Sequence, residues 1–463
     1  MIFTSFAYLV FLAIVFVAYW LVRNRMWQNI LLLACSYLFY GYVHPWFCIL
    51  IAASTIVDYF CGLAMGKFLS KRKLFLVISL CSNLGMLGFF KYFNFFTDSI
   101  IDFVGNFGFQ LHERTWQIAL PWGISFYTFQ TLSYTIDVYR GKLEPRKNFL
   151  DFALFVSFFP QLTAGPIERA TRLLPQIEKK RFWNWGMFFA AWPLFVRGYL
   201  KKMVVADNVA LYVDKIYMLE SPTLLLLIAG SIAFAIQIYA DFSAYTDIAR
   251  ASAKLLGFDL MKNFNSPYLA ISPSDFWKRW HISFSSWIQD YLYIPLGGSR
   301  VNSQSQYASI LLVTLGLSGL WHGAAWHFVA WGVFHAIILF TYHRLGITGK
   351  WNPLSKRKRF AAWLIMFCLT IFGWSIFRAP SITWLANVFI NDFSVGFTGD
   401  SLIVSVVVFA SVAFYCIPLF VLMIFDRMMP KAKTVHAVAY AIGSVAILVF
   451  FRDNFQDFIY FQF

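Results

Sequence analysis

Apolar runs of roughly membrane-spanning length recur along this chain, at 2–22, 27–43, 46–66, 74–96, 117–139, 224–249, 360–378, 401–425 and 435–452. A helix needs about 20 apolar residues to cross about 30 Å of hydrocarbon. Inside a bilayer a backbone must also satisfy its own hydrogen bonds, which a helix does within one segment. The 463 residues are 60% hydrophobic and only 13% charged, against roughly a quarter charged in soluble domains. The pattern predicts an all-α, polytopic integral membrane protein. The first run has no basic residue ahead of it and no small-residue cleavage site, so it is expected to remain as a span.

A formal net charge of +16 would point to nucleic acid in a soluble protein. Here the cations cluster in short loops: Lys67, Lys71, Arg72 and Lys73; Arg140, Lys142, Arg146 and Lys147; and the stretch 343–360. The loops between them carry Asp98, Asp102, Glu113, Asp392 and Asp400. That alternation is the positive-inside bias, which places the N-terminus outside and the basic loops in the cytoplasm. The bilayer is the expected partner, and no nucleic acid is. Cys35, Cys48, Cys61, Cys81, Cys368 and Cys416 all lie in apolar runs without a CxxC pair, so neither a disulfide framework nor a zinc site is indicated.

Two stretches are neither plain span nor plain loop. Residues 158–166, "FFPQLTAGP", interrupt an apolar run with two prolines and a glycine. At membrane depth such a backbone must be buried in protein or line a cavity, so a re-entrant element is expected. Arg197, Lys201 and Lys202 follow apolar residues where alternation predicts the outer side. They either anchor the segment by snorkelling or face an aqueous cavity. The second stretch, 274–292, is amphipathic. On a helical wheel Trp277, Trp280, Phe284, Trp287, Ile288, Tyr291 and Leu292 share one face, and Lys278, Arg279, Ser283, Ser286, Gln289 and Asp290 the other. This predicts an interfacial helix with its aromatic face turned inward. His281 falls on that inward face, about 40° from Trp277.

Arg300 and Arg344 both belong to the basic side, and between them lie apolar runs at 306–320 and 324–342. To begin and end on one side the chain must turn near "WHGAA", which predicts a helical hairpin over 306–342. Fifteen helical residues rise about 22 Å, less than the core thickness. The turn, and His322 with it, is therefore expected inside the membrane, where Gly319 and Gly323 permit close backbone approach. An ionisable group at that depth is by default a functional-site hypothesis. On one continuous wheel His322 and His327 stand about 140° apart, and His327 and His335 about 80°. The i, i+4 histidine pair of a zinc protease helix is absent, so no metal is expected. His327 and His335 read as hydrogen-bonded helix contacts.

An imidazole kept from water stays neutral and accepts a proton, which suits general-base activation of a hydroxyl. No GxSxG nucleophile elbow occurs, since "GLSGL" at 316–320 is misspaced. Acyl transfer here would be direct attack on an already activated donor. A reading from another class is a proton-coupled transporter using His322 in a relay. Against it stand the absence of an internal repeat and the scarcity of acidic residues in the spans. Asp241 and Asp247 in "YADFSAYTD" stand out there; they either line a cavity or pack helices by hydrogen bonds. A membrane scaffold, the third reading, would make His322 dispensable.

The motifs, taken in order, are "GISFYTFQTLSYTIDVYRG" (123–141), "FFPQLTAGPIER" (158–169), "QIYADFSAYTDIA" (237–249), "SPSDFWKRWHISFSSWIQDYLYIPLGGSR" (272–300), "SGLWHGAAW" (318–326) and "FIYFQF" (458–463). In them the chain resembles the membrane-bound O-acyltransferase (MBOAT) family, and within it the bacterial alginate O-acetyltransferase (AlgI) branch. Each motif alone is modest; their order is specific, and their reach leads us to expect a whole chain. The resemblance implies one transmembrane domain over 1–463, with about 11–12 spans plus re-entrant and interfacial helices around a central funnel. It implies an O-acyltransferase of the bacterial cytoplasmic (inner) membrane that O-acetylates an extracytoplasmic polysaccharide. Acetyl-CoA is the implied donor substrate, with no bound cofactor, and an acetylase of the alginate type, periplasmic or membrane-anchored, is the implied partner. His322 in "LWHG" matches the family's catalytic histidine, and His281 in "FWKRWH" its second histidine, with Trp321 and Asp241 supporting the site. Arg197, Lys201 and Lys202 would then be placed to steer the donor's phosphates. His327 departs from the smaller or non-basic residue often found there. Peptidoglycan O-acetylation and DltB-like D-alanylation of teichoic acid are the alternatives.

Overall fold

The computed structural model describes residues 1–109, 118–348, 351–353, 355–395, 399–428, 433–450 and 458–459, and among these it is helical without strands. Glu113 and the C-terminal motif beyond Ile459 lie outside the described residues. Among the described residues five helices are long and apolar enough to cross a membrane: Phe47–Lys67, Leu69–Gly105, α1 (Leu224–Leu255), Lys356–Arg378 and Gly399–Phe425. Their outward faces are apolar, with Ile49, Ile56 and Phe60 exposed on the first and Val404, Val407 and Phe414 on the last. Apolar exposure on this scale marks a surface that something apolar covers, and hydrocarbon is the cover that fits helices of this length.

Contacts gather the described residues into two compact units, Met1–Phe188 with Ser252–Met261, and Phe189–Ala251 with Lys262–Phe463. In the first, the broken stretch 158–166 is buried, as its prolines predicted. Its backbone is satisfied within the unit: the Phe159 N–H donates to Ser36 Oγ at 3.1 Å, and the Gly165 N–H to the Gln161 carbonyl at 3.0 Å. The run at 117–139 becomes helical only from Ile124. Gly123 turns there at φ 75°, where a Cβ would fall 2.7 Å from the Leu162 carbonyl. The same unit holds a carboxyl that the apolar pattern did not advertise. Asp58 is fully buried, with Ser79 Oγ donating to it at 2.6 Å and Asn83 Nδ2 at 2.9 Å.

The second unit corrects one expectation. Residues 274–292 do not form one helix but α2 (Pro273–Trp277) and α3 (Ile282–Ile288), followed by a π-helical turn at Gln289–Tyr293. Ser272 caps α2 through its side chain, and the Asp275–Arg279 pair at 2.7 Å straps its end. His281 then takes a left-handed conformation, φ 41° and ψ 57°, which restarts the helix in a new direction. The wheel fails across that break, and Ser283 of the supposed polar face is buried.

The hairpin forms as predicted, from α4 (Gln304–His322) and α5 (Trp326–Arg344). Its helices meet backbone to backbone. A Cβ on Gly319 would overlap the Phe328 carbonyl oxygen, and one on Gly332 the Leu315 carbonyl oxygen. Gly332 was not apparent from the motif around the turn, because its partner lies on the other helix. Crowding a packed interior typically costs about 1–3 kcal/mol, and a carbonyl cannot swing aside as a side chain can. Gly332→Val should therefore lower the thermal unfolding midpoint of the detergent-solubilised protein clearly. Gly316→Ala, one turn from the contact with nothing within 4 Å of its Cβ, should leave the midpoint unchanged or slightly raised.

Candidate active site

His322 is the last residue of α4, and the chain turns extended at Gly323 immediately after it. The imidazole is 2% exposed and walled by rings from four elements. Trp321 precedes it, with centroids 5.0 Å apart; Phe284 of α3 lies at 5.5 Å and Trp331 of α5 at 5.1 Å. Phe377 of α6 (Lys356–Arg378) closes the ring at 5.4 Å. The close glycine crossing brings Trp331 to this chamber, since it pins α5 against α4.

His281, in the turn between α2 and α3, is fully buried. Its left-handed backbone costs about 1–2 kcal/mol for a residue with a Cβ. Neither ring nitrogen has a hydrogen-bond partner, and a buried polar group left so carries a further penalty. The ring meets Phe242 edge-on at 4.5 Å, Phe284 at 5.1 Å and Trp321 at 5.9 Å. Phe284 and Trp321 are themselves stacked at 4.2 Å, and both touch both histidines. The structure thus unites His322, His281 and Trp321 in one site.

A cavity of about 550 Å³ lies beside this group, lined by Phe284 but by neither His281 nor His322. Lys278, His343, Thr348 and Ser318, which stands one helical turn before His322, also line it. Thr314 Oγ1 and Trp277 Nε1, from two further lining residues, are buried without hydrogen-bond partners. Unpaired polar atoms along a cavity of mixed apolar and polar lining are what a ligand with a few amide or ester groups would engage. Phe284 stands as the partition between that space and the histidines.

The remaining predicted residues fall elsewhere. Asp241 does not contact either histidine ring. Its carboxylate accepts the Ile459 N–H at 2.7 Å and lies 2.9 Å from Lys202 Nζ, while the adjacent Phe242 bears on His281. Asp241 is thus held by Lys202 and the C-terminal segment. Lys202, at 1% exposure, also pairs with Asp207 at 2.9 Å; Lys201 pairs with Asp247 at 2.6 Å; and Arg197 donates to the Tyr440 hydroxyl at 2.6 Å. Neighbouring carboxylates thus pair with both lysines, which leaves less of their charge for the donor phosphates they were expected to steer. The snorkelling alternative is corrected for Lys202, which is inside the protein.

His335 is buried among Phe276, Trp277 and Trp331, with Nδ1 lacking a hydrogen-bond partner. Ring packing replaces the hydrogen bond expected of it. His327 is half-buried against Phe328 at 4.2 Å. The angles expected between these histidines and His322 do not hold, since Gly323–Ala325 interrupts the helix; Trp331 now lies against both His322 and His335. Among the described residues no three His, Cys, Asp or Glu side chains group so as to hold a metal ion.

Apolar helices of spanning length with a buried histidine pair beside a cavity fit a membrane-embedded group-transfer enzyme. The model of the membrane-bound O-acyltransferase family matches residues 78–378, and the chain belongs to that family. It is a multi-pass membrane O-acyltransferase. It is 38% identical over 399 residues to the probable alginate O-acetylase AlgI of Pseudomonas aeruginosa, covering 86% of this chain and 75% of that one. The probable alginate O-acetylase AlgI of Pseudomonas putida is 33% identical over 496 aligned positions, with both chains fully covered. The peptidoglycan O-acetyltransferase of Helicobacter pylori is 33% identical over 407 residues, 80% of this chain and 76% of that one.

The ion pairs make a testable distinction. Removing one partner of a buried pair strands the other charge, at a cost of about 3–5 kcal/mol. Lys202→Met should therefore lower the thermal midpoint sharply. Lys201→Gln should leave the apparent KM for the acyl donor unchanged at low salt; a raised KM would restore the steering role.

Proposed function

We propose that this enzyme takes an acetyl group from a cytoplasmic donor and transfers it within the membrane, for O-acetylation of an alginate-like extracytoplasmic polysaccharide. The observation that carries this reading is the placement of His322 and His281 on one Phe284–Trp321 pair, whose Phe284 also lines the 550 Å³ cavity. Lys278 and His343 line the same cavity, and Arg300 and Arg344 flank the hairpin on the basic side, read as cytoplasmic. Acetyl-CoA fits that lining: phosphates beside Lys278 and His343, amides along the unpaired Thr314 and Trp277 atoms, thioester toward Phe284.

In this mechanism His322 is the general base. It accepts the proton of the acceptor hydroxyl as the hydroxyl oxygen attacks the thioester carbonyl carbon. The carbon–sulfur bond breaks, the thiolate leaves with the proton returned from the imidazolium, and an ester is formed. His281 supports the reaction without being the base, by donating a hydrogen bond to the carbonyl oxygen as charge gathers there. The dry aromatic chamber strengthens that contact and excludes water, which would hydrolyse the thioester. The enzyme would act in the bacterial inner membrane beside an acetylase of the alginate type, periplasmic or membrane-anchored, that completes delivery to the polymer. The similarity to a peptidoglycan O-acetyltransferase over 80% of this chain supports a second reading, in which peptidoglycan is the acceptor.

Ester-linked acetate, measured separately on exported polysaccharide and on peptidoglycan at matched protein levels, tests both. His322→Ala should insert normally and lose transfer by at least about 10²-fold, within the 10²–10⁴ of a positioned general base. His281→Ala should keep measurable turnover, and His327→Ala should stay near wild type. Substantial activity in His322→Ala would overturn the mechanism. Loss confined to the peptidoglycan fraction would transfer the assignment to the second reading.

A further inference from the structure

His281 sits at the head of α3, where the first amide N–H groups of a helix need acceptors from outside it. The residue in that position ordinarily supplies one from its own side chain. His281 does not. Asn263 does so instead: its backbone carbonyl accepts the Ile282 N–H at 2.8 Å, and its Oδ1 accepts the Ser283 N–H at 3.2 Å. The amide is itself held, with Nδ2 donating to Thr246 Oγ1 of α1 at 3.3 Å. Both residues are buried, Asn263 completely. A second bond nearby, from the Asn265 N–H to the Arg279 carbonyl at 3.0 Å, ties the same two segments together.

We propose that Asn263 is a positioning residue for acyl transfer: it caps α3 in place of His281, holding that histidine in its left-handed turn with the imidazole toward Phe284 and Trp321. The proposal rests on reading His281 and His322 as the reacting pair. The physical need for the clamp comes from the sequence itself. Residues 274–292 carry the apolar period of one continuous helix, and a strained left-handed residue persists only where its surroundings enforce it. Without the Asn263 acceptor, residues 278–283 relax toward the right-handed helix that the pattern favours. The imidazole is then carried off the Phe284–Trp321 pair, while most of the surrounding packing survives.

The test is a double-mutant comparison of acetate incorporation into surface polymer, at matched membrane levels, for Asn263→Ala, His281→Ala and the double variant. Misplacing a reacting group by about 1 Å costs on the order of 10²-fold, so Asn263→Ala should fall to about the level of His281→Ala. Because Asn263 acts through His281, the double variant should be no worse than His281→Ala alone. Thr246→Val, which keeps Asn263 but frees its amide to turn away, should show a smaller loss that also vanishes in the His281→Ala background. It carries the test if Asn263→Ala does not accumulate. Wild-type rates in Asn263→Ala, or losses that multiply in the double variant, would overturn the proposal. If His281→Ala has no effect while His322→Ala abolishes transfer, the role of His281 fails and the clamp with it. If His322→Ala transfers normally, the functional reading fails instead.

Discussion

Where a helix stops inside an apolar bundle, it exposes amide and carbonyl groups that no water is present to satisfy. That constraint governs the layout of the second unit. The backbone leaves helical geometry between α2 and α3 and again at Gly323–Ala325, and a histidine stands at each break. At the first, Asn263 reaches in to take the orphan N–H groups. At the second, the break follows a tight crossing in which Gly319 and Gly332 let carbonyls and helix backbone touch. The first unit obeys the same rule at 158–166, where Ser36 and neighbouring carbonyls absorb the freed groups. At 158–166 and at the head of α3 the protein itself supplies the partners.

The same economy of polar partners shapes the chemistry. Rings enclose His322 on four sides and His281 on three. In such surroundings charge is weakly screened, so a proton moved or a carbonyl polarised there counts for more than it would in water. Rigid aromatic walls also lose little entropy when a small acyl group is held between them, since most of their rotamer freedom is already spent on packing. The cavity that Phe284 helps to line lies beside this chamber and has a mixed apolar and polar lining.

The buried ion pairs of this unit serve packing. Lys202 bridges Asp207 and Asp241, and Asp241 in turn holds the Ile459 N–H, tying α1 to the C-terminal segment. Phe458 of that segment packs on Tyr245 at 4.3 Å and on Phe242 at 5.7 Å, and Phe242 is the ring against His281. The ion pairs thus brace the wall behind the second histidine. Buried pairs of this kind contribute modestly in net stability but are costly to break, which favours a single arrangement of the wall.

By itself the sequence determined the class of fold and singled out His322 as the candidate reacting group. Apolar runs of spanning length allow little but helices in a bilayer, and two apolar runs flanked by Arg300 and Arg344 on one basic side call for a hairpin that turns near "WHGAA". Those inferences depend on local length and periodicity, which the chain carries explicitly. Pairing across the structure was decided only by the tertiary fold. Gly332 looks like any helix glycine until α4 lies on it, Asn263 like a loop asparagine until α3 needs a cap, and Lys202 like a loop cation until two carboxylates surround it. The break at His281 shows why. The helical pattern through 274–292 is a local preference, and hydrogen bonds from a distant segment outweigh it.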